Sequence, residues 1–96
     1  MRPSEALSLH RDQIRAIALR HHVDGVRVFG SALHGEDGEG SDLDLLVEPT
    51  AETSLMDIGA IRHELKMLLG MEVDVLTPAG LPASFRAQVL KEALPV

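Results

Sequence analysis

Phe29-Gly30-Ser31, an interval of ten residues from Ala32 to Ser41, and then Asp42-Leu43-Asp44-Leu45-Leu46-Val47 decide how this chain reads. The run Val26-Arg27-Val28-Phe29 is a short strand pattern that ends at a glycine. A glycine and a serine leaving a strand into a helical turn aim backbone N–H groups and a hydroxyl at phosphate oxygens, so Gly30 and Ser31 form a candidate phosphate cradle. The second run is apolar from Leu43 to Val47 and stops at Pro49, which has no N–H for a ladder; it predicts a central strand. Side chains alternate along a strand, so Asp42 and Asp44 share one face while Leu43, Leu45 and Val47 take the other. Two carboxylates so placed repel each other unless a cation lies between them. Oxygen ligands of this kind suit Mg²⁺, which commonly takes one or two carboxylates together with substrate phosphates.

Moving outward, Met71 to Leu76 alternates with valines at 73 and 75 and predicts a third strand beside the Asp42/Asp44 strand. It carries Asp74 between those valines, a third candidate acid. In two-metal transfer chemistry a carboxylate on the acceptor side activates the attacking hydroxyl, and Asp74 fits that part. Glu72 shares its face by alternation and reads as a bystander. Between the strands, Ser54 and Asp57 resemble a capping box, Ile58, Ile61, Leu65 and Leu68 mark a buried helix face, and Gly70 is a C-cap. Residues 4–21 predict a first helix with Leu7, Ile14, Ile17 and Ala18 inward. Ser31 to His34 is one helical turn. After the Thr77-Pro78-Ala79-Gly80 turn, a last helix puts Phe85, Val89 and Ala93 on one face and leaves Arg86 and Lys91 to solvent. The predicted fold is α/β (α+β), ordered α-β-α-β-α-β-α, with a three-stranded mixed sheet flanked by helices in a single domain spanning 1–96.

Composition excludes several classes. The chain of 96 residues has a formal net charge of −6, which opposes non-specific nucleic-acid binding, and its two aromatic residues do not make a stacking platform for a strand of bases. Direct nucleic-acid recognition is therefore not expected. A nucleotide remains compatible, because divalent cations bridge carboxylates to phosphates. No apolar run reaches the ~20 residues of a membrane span, and the Met1-Arg2-Pro3-Ser4-Glu5 start has no signal-peptide core, so the expected location is cytoplasmic, off the membrane. Cysteine is absent, which leaves oxygen or imidazole as metal ligands. His21, His22 and His63 have no partner at ligand spacing and read as solvated or capping residues. The acidic tip Glu36-Asp37-Gly38-Glu39 reads as a solvated turn.

Gly30-Ser31, ten residues, Asp42-x-Asp44 and the later Asp74 resemble the pattern of the DNA polymerase β-like nucleotidyltransferase superfamily. The short length and the Ser41-Asp42-Leu43-Asp44-Leu45-Leu46-Val47 segment resemble its minimal nucleotidyltransferase branch, many of whose members are antitoxins encoded beside HEPN-domain toxins. The resemblance spans roughly residues 24–76. It implies transfer of a nucleoside monophosphate, AMP from ATP, to a protein hydroxyl, with a HEPN ribonuclease toxin as partner in a hetero-oligomer. Residue by residue it implies that Gly30, Ser31, His34 and Ser41 contact the nucleotide. Asp42 and Asp44 would hold two Mg²⁺ ions, and Asp74, a third ligand, would orient and deprotonate the acceptor. One departure stands out: many members carry arginine a few residues after Gly-Ser, where this chain has Ala32-Leu33-His34. Imidazole lacks the planar fork of guanidinium, so the phosphate grip is expected to be weaker. The alternative function is a non-catalytic antitoxin that neutralises its partner by steric cover.

Overall fold

The computed structural model describes residues 1–96. Helix α1 runs Pro3–Leu19, strand β1 Val23–Phe29, the single turn α2 Ser31–His34, and strand β2 Leu43–Pro49. Helix α3 follows at Leu55–Leu69, then strand β3 at Val73–Leu76, a 3₁₀ turn at Pro78–Gly80, helix α4 at Arg86–Glu92, and a two-residue strand β4, Leu94–Pro95.

Each principal element has a local cause. Proline occupies the first turn of α1, where its missing N–H costs nothing, and the buried Ala6, Leu7, Ile14 and Ala18 form one stripe interrupted by a non-helical His10. At the start of α3 the Ser54 and Asp57 side chains cap each other's backbone N–H groups, at 3.2 and 2.8 Å. Gly70 ends that helix in the left-handed conformation. Ile61 and Leu65 of α3 are fully buried. They join Leu43, Leu45, Val47, Val73 and Val75 and the inner face of α1 in the main core, so both long helices lie on one side of the sheet.

The sheet order is β3-β2-β1-β4. The β1–β2 pair is antiparallel and β2–β3 parallel, with α3 as the crossover connection. This corrects the expected three strands to four. The last segment turns back as β4 and pairs antiparallel with Arg27 and Val28 of β1. Val96 is buried, its N–H donates to the Val26 carbonyl at 3.1 Å, and Arg15 donates to its carbonyl at 2.7 and 3.1 Å. A two-residue strand containing proline leaves no periodicity to read.

Two more expectations are corrected. Asp37 is buried at 6% exposure: its carboxylate accepts the Ser4 N–H at 2.7 Å, so the acidic loop docks on the start of α1. Arg86 is not free; its guanidinium donates to the Ala79 and Leu81 carbonyls, at 3.2 and 2.6 Å, and ties α4 to the 3₁₀ turn. The histidines before β1 contact α3, His21 half-buried and His22 exposed beside the capping residue Asp57, in keeping with solvated or capping roles. His21 bonds Glu64, and His22, with a positive φ of 62°, lies 3.2 Å from Asp57.

Candidate active site

The face of the sheet away from α1 and α3 is only partly covered. A small second core of Phe29, Leu46, Leu81 and Ala93 seats the C-terminal segment there, leaving a cavity of about 460 Å³ between the sheet and α4. Its sheet side is formed by Phe29, Gly30, Asp44, Asp74 and Leu76, and His34 of α2 also lines it. Phe85, Gln88, Val89 and Glu92 close it from the helix side.

Asp44 and Asp74 face each other in register across the parallel β2–β3 pair. Strand alternation turns both away from the main core, because their neighbours Leu43, Leu45, Val73 and Val75 are the buried ones. Asp44 is half-buried, and its pKa is pushed up to about 6, first by burial, then by the charges of Asp74 and Asp42 and by sharing a proton with Asp74. Asp42 stands exposed just ahead of β2, near enough to act electrostatically on Asp44 but outside the cavity wall.

Gly30 is why the acids fit. It ends β1 at φ 75° and ψ −154°, a region open essentially to glycine alone. A Cβ there would lie 3.1 Å from Asp44 Cγ and closer still to Oδ2. The glycine therefore clears space for the carboxylate and aims the chain into α2 in one move. The N–H groups of Ser31 and Ala32, in the first turn of α2, have no intrahelical acceptor and are available to an anion. At four residues α2 carries little dipole, so individual donors matter more than the helix field.

The remaining candidates are distributed unevenly. Ser31 opens α2 next to Gly30 but does not line the cavity. His34 does, and its Nε2 lies 3.0 Å from a Glu92 carboxylate oxygen of α4. Glu92 in turn accepts from the Gln88 amide at 3.2 Å, so a polar chain crosses the cavity rim. Ser41 is not brought to the cavity: its hydroxyl accepts the Gly38 N–H at 2.9 Å and shapes the loop leading to Asp42. Glu72 pairs with Arg62 and Lys66, at 3.5 and 3.2 Å, apart from the acids of the site. Sequence reading missed Gln88 and Glu92. The signal was present, since residues 85, 88, 89 and 92 recur at i, i+3, i+4 and i+7, one stripe of a helix.

The donor set suits a hard divalent cation. Hard oxygen ligands converge at Asp44 and Asp74, and their mutual repulsion is what a cation relieves. No three acidic or imidazole side chains close into a ready-made cage. Cations such as Mg²⁺ are commonly held by one or two carboxylates and completed by waters and substrate phosphates.

The chain is similar to several known proteins along most of its length. The Methanocaldococcus jannaschii protein MJ0435 is 39% identical over 84 residues, covering 88% of this chain and 90% of its own. Protein adenylyltransferase MntA of Thermococcus cleftensis is 33% identical over 88 residues, covering 92% of this chain and 86% of that one. A solved structure assigned as a minimal nucleotidyltransferase superposes with a TM-score of 0.85 at 41% identity, over 97% of this chain and 95% of the other. A toxin–antitoxin crystal structure with AMP-PNP shares the fold at a TM-score of 0.65 and 19% identity, over 99% of this chain and 72% of that one. The family model described as "Nucleotidyltransferase domain" matches residues 10–96, and on these grounds the chain belongs to the nucleotidyltransferase domain family.

Proposed function

We propose that the chain is a Mg²⁺-dependent nucleotidyltransferase that moves AMP from ATP to a hydroxyl of a partner protein, and that the partner is a HEPN ribonuclease toxin inactivated by the transfer. The observation that carries the reading is the in-register Asp44/Asp74 pair, packed against the one glycine that lets it form. The name of the Thermococcus relative supports AMP as the transferred group and a protein as acceptor. The fold shared with a toxin–antitoxin chain crystallised with AMP-PNP supports an adenine nucleotide and a toxin partner. The HEPN identity of the partner rests on the sequence resemblance.

In this reading the Ser31 hydroxyl, the N–H groups of Ser31 and Ala32, and the His34 imidazole hold the β- and γ-phosphates. Asp44 and Asp74, with Asp42 exposed just ahead of β2, would hold Mg²⁺, which would supply charge neutralisation at the attacking and leaving oxygens. Asp74 takes the proton of the acceptor hydroxyl. The acceptor oxygen bonds to the α-phosphorus as the bond to the α,β-bridging oxygen breaks, and pyrophosphate leaves with that electron pair. Helix α4 limits water above the acids.

The test is to incubate the purified chain with ATP, Mg²⁺ and the product of the neighbouring gene, and to weigh the intact partner. A gain of AMP that disappears in Asp42→Asn and Asp44→Asn supports the transfer. A partner that is neutralised with no gain in mass refutes it. That outcome favours the second reading, a steric antitoxin, which draws on one observation: His34, the counterpart of the missing arginine, is already held by Glu92.

A further inference from the structure

Asp37 is the only charged residue among the buried ones. Burying a carboxylate is unfavourable unless something answers its charge, and here one bond does so: Oδ2 accepts the Ser4 N–H at 2.7 Å, while Oδ1 is enclosed and unpaired. Ser4 is the second residue of α1, where an amide has no acceptor in its own helix and where negative charge is favoured. A helix usually takes its cap from the adjoining residue. This cap comes from 33 residues away, and it brings the loop between α2 and β2 with it. Helix α1 is itself seated in the main core through Leu7, Ile14 and Ala18, so the loop is tied to the rigid body of the domain.

The tie lies five residues ahead of Asp42. Between them the chain closes on itself: the Gly38 N–H donates to the Ser41 hydroxyl at 2.9 Å, and the Ser41 N–H donates to the Gly38 carbonyl at 3.1 Å. On the other side of Asp42, the Leu43 N–H donates to the Glu72 carbonyl at 3.0 Å. Asp44 and Asp74 are held in register by the strand ladder. Asp42 stands outside β2, near enough to Asp44 to act on its charge, and depends on the loop for its place.

We infer that Asp37 is a positioning residue: by capping α1 it fixes the Gly38–Ser41 turn, and so holds Asp42 where it can join Asp44 and Asp74 around a divalent cation. This rests on the metal-nucleotide reading above and names what supports the one acid that the ladder does not.

Two measurements on the full chain test it, Mg²⁺-ATP binding by calorimetry and hydrogen exchange at the Ser41 amide without metal. Asp37→Ala is expected to weaken Mg²⁺-ATP about two- to tenfold, the range one hydrogen bond allows, and to speed Ser41 exchange. Asp37→Asn keeps the accepting oxygen and should restore both. Ser41→Ala opens the same turn without touching α1, so it should weaken Mg²⁺-ATP even if Asp37→Ala does not fold. In an Asp42→Asn background neither change should weaken binding further, because both act through Asp42. Ser54→Ala, which uncaps α3 instead, should lower stability and leave Mg²⁺-ATP binding as in the parent. An Asp37→Ala protein that melts lower but matches the parent in binding and in Ser41 exchange makes Asp37 a helix cap only and overturns the proposal. So does a loss that persists in full when Asp42 is asparagine. A parent chain that does not bind Mg²⁺-ATP, or an Asp42→Asn variant that binds it equally well, removes the metal reading and this proposal with it. That failure is told apart from a failure of the tie by Ser41 exchange, which needs no metal.

Discussion

Replacing Asp44 by asparagine should make the metal-free protein more stable while removing its response to Mg²⁺ and ATP. Folding raises the Asp44 pKa to about 6 from 3.8, a shift of roughly two units. At ~1.4 kcal/mol per unit this corresponds to an upper value of about 3 kcal/mol. The side chain is half open to water, so screening reduces the figure to about 1 kcal/mol. Because the folded value lies above the unfolded one, the native state binds the proton more tightly. Stability attributable to this group is therefore present below pH 4 and lost as pH rises through 6. At pH 7.5 in a chelator, Asp44→Asn is neutral, and for a domain of this size it should melt about 4–8 °C above the parent. The gap should close as the buffer is taken below pH 6, where the parent protonates. With Mg²⁺ and ATP at ~100 times the Kd the parent gains ~2.7 kcal/mol and overtakes the variant, which gains little. Scanning calorimetry across pH, with chelator and with Mg²⁺-ATP, reads all of this. An asparagine variant that melts at or below the parent in chelator, or that shifts equally with Mg²⁺-ATP, would refute the account of strained carboxylates awaiting a cation.

Three further outcomes are expected. Gly30→Ala should cost about 1–3 kcal/mol for its backbone conformation alone and, by displacing the Asp44 carboxylate, abolish Mg²⁺-ATP binding; calorimetric binding unchanged from the parent contradicts the close approach of Gly30 and Asp44. Ser54→Ala removes one half of the α3 capping box, far from the cavity, and should lower stability by about 1 kcal/mol with nucleotide binding untouched, as denaturant titration and calorimetry would report. The Glu64 carboxyl is held low first by the His21 contact, and the Asp57 carboxyl first by the Ser54 N–H, so both favour the folded state when charged. Their contribution is complete above the ordinary carboxylate range and is lost as pH falls through their lowered values. In Glu64→Gln the acid limb of the stability profile should flatten, and an unchanged limb would remove Glu64 from the argument.

Much of this architecture is legible in the residues, because burial writes itself as periodicity. Leu43, Leu45 and Val47 alternate with Asp42 and Asp44, so the strand announces both its core face and its acid face. The α3 helix carries its start in Ser54 and Asp57 and its end in Gly70. What the chain does not display is non-local pairing with no repeat of its own. Strand β4 is two residues of which one is proline, and its partner lies far earlier in the chain. Asp37 looks like a solvated acid until the start of α1 offers it the Ser4 N–H, a contact between residues 33 apart. For the site, the sheet half was readable and the helix half was not. Phe85 and Val89 were visible as one helical face, but that this face would close over the acids depends on Arg86 binding back to the 3₁₀ turn and on Ala93 packing with Leu46.

The two walls of the cavity differ in how they are built. Asp44 and Asp74 sit on adjacent strands joined by a continuous backbone ladder, whereas α4 has no fully buried residue of its own and is held by a few side-chain ties. The ladder behaves as an anvil: its acids keep their spacing whatever lies against them. Adaptation to a different donor or acceptor thus falls to the seven residues of the cover, where exchanges disturb little of the core. An engineer wishing to redirect this protein would leave the strands alone and redraw residues 86–92.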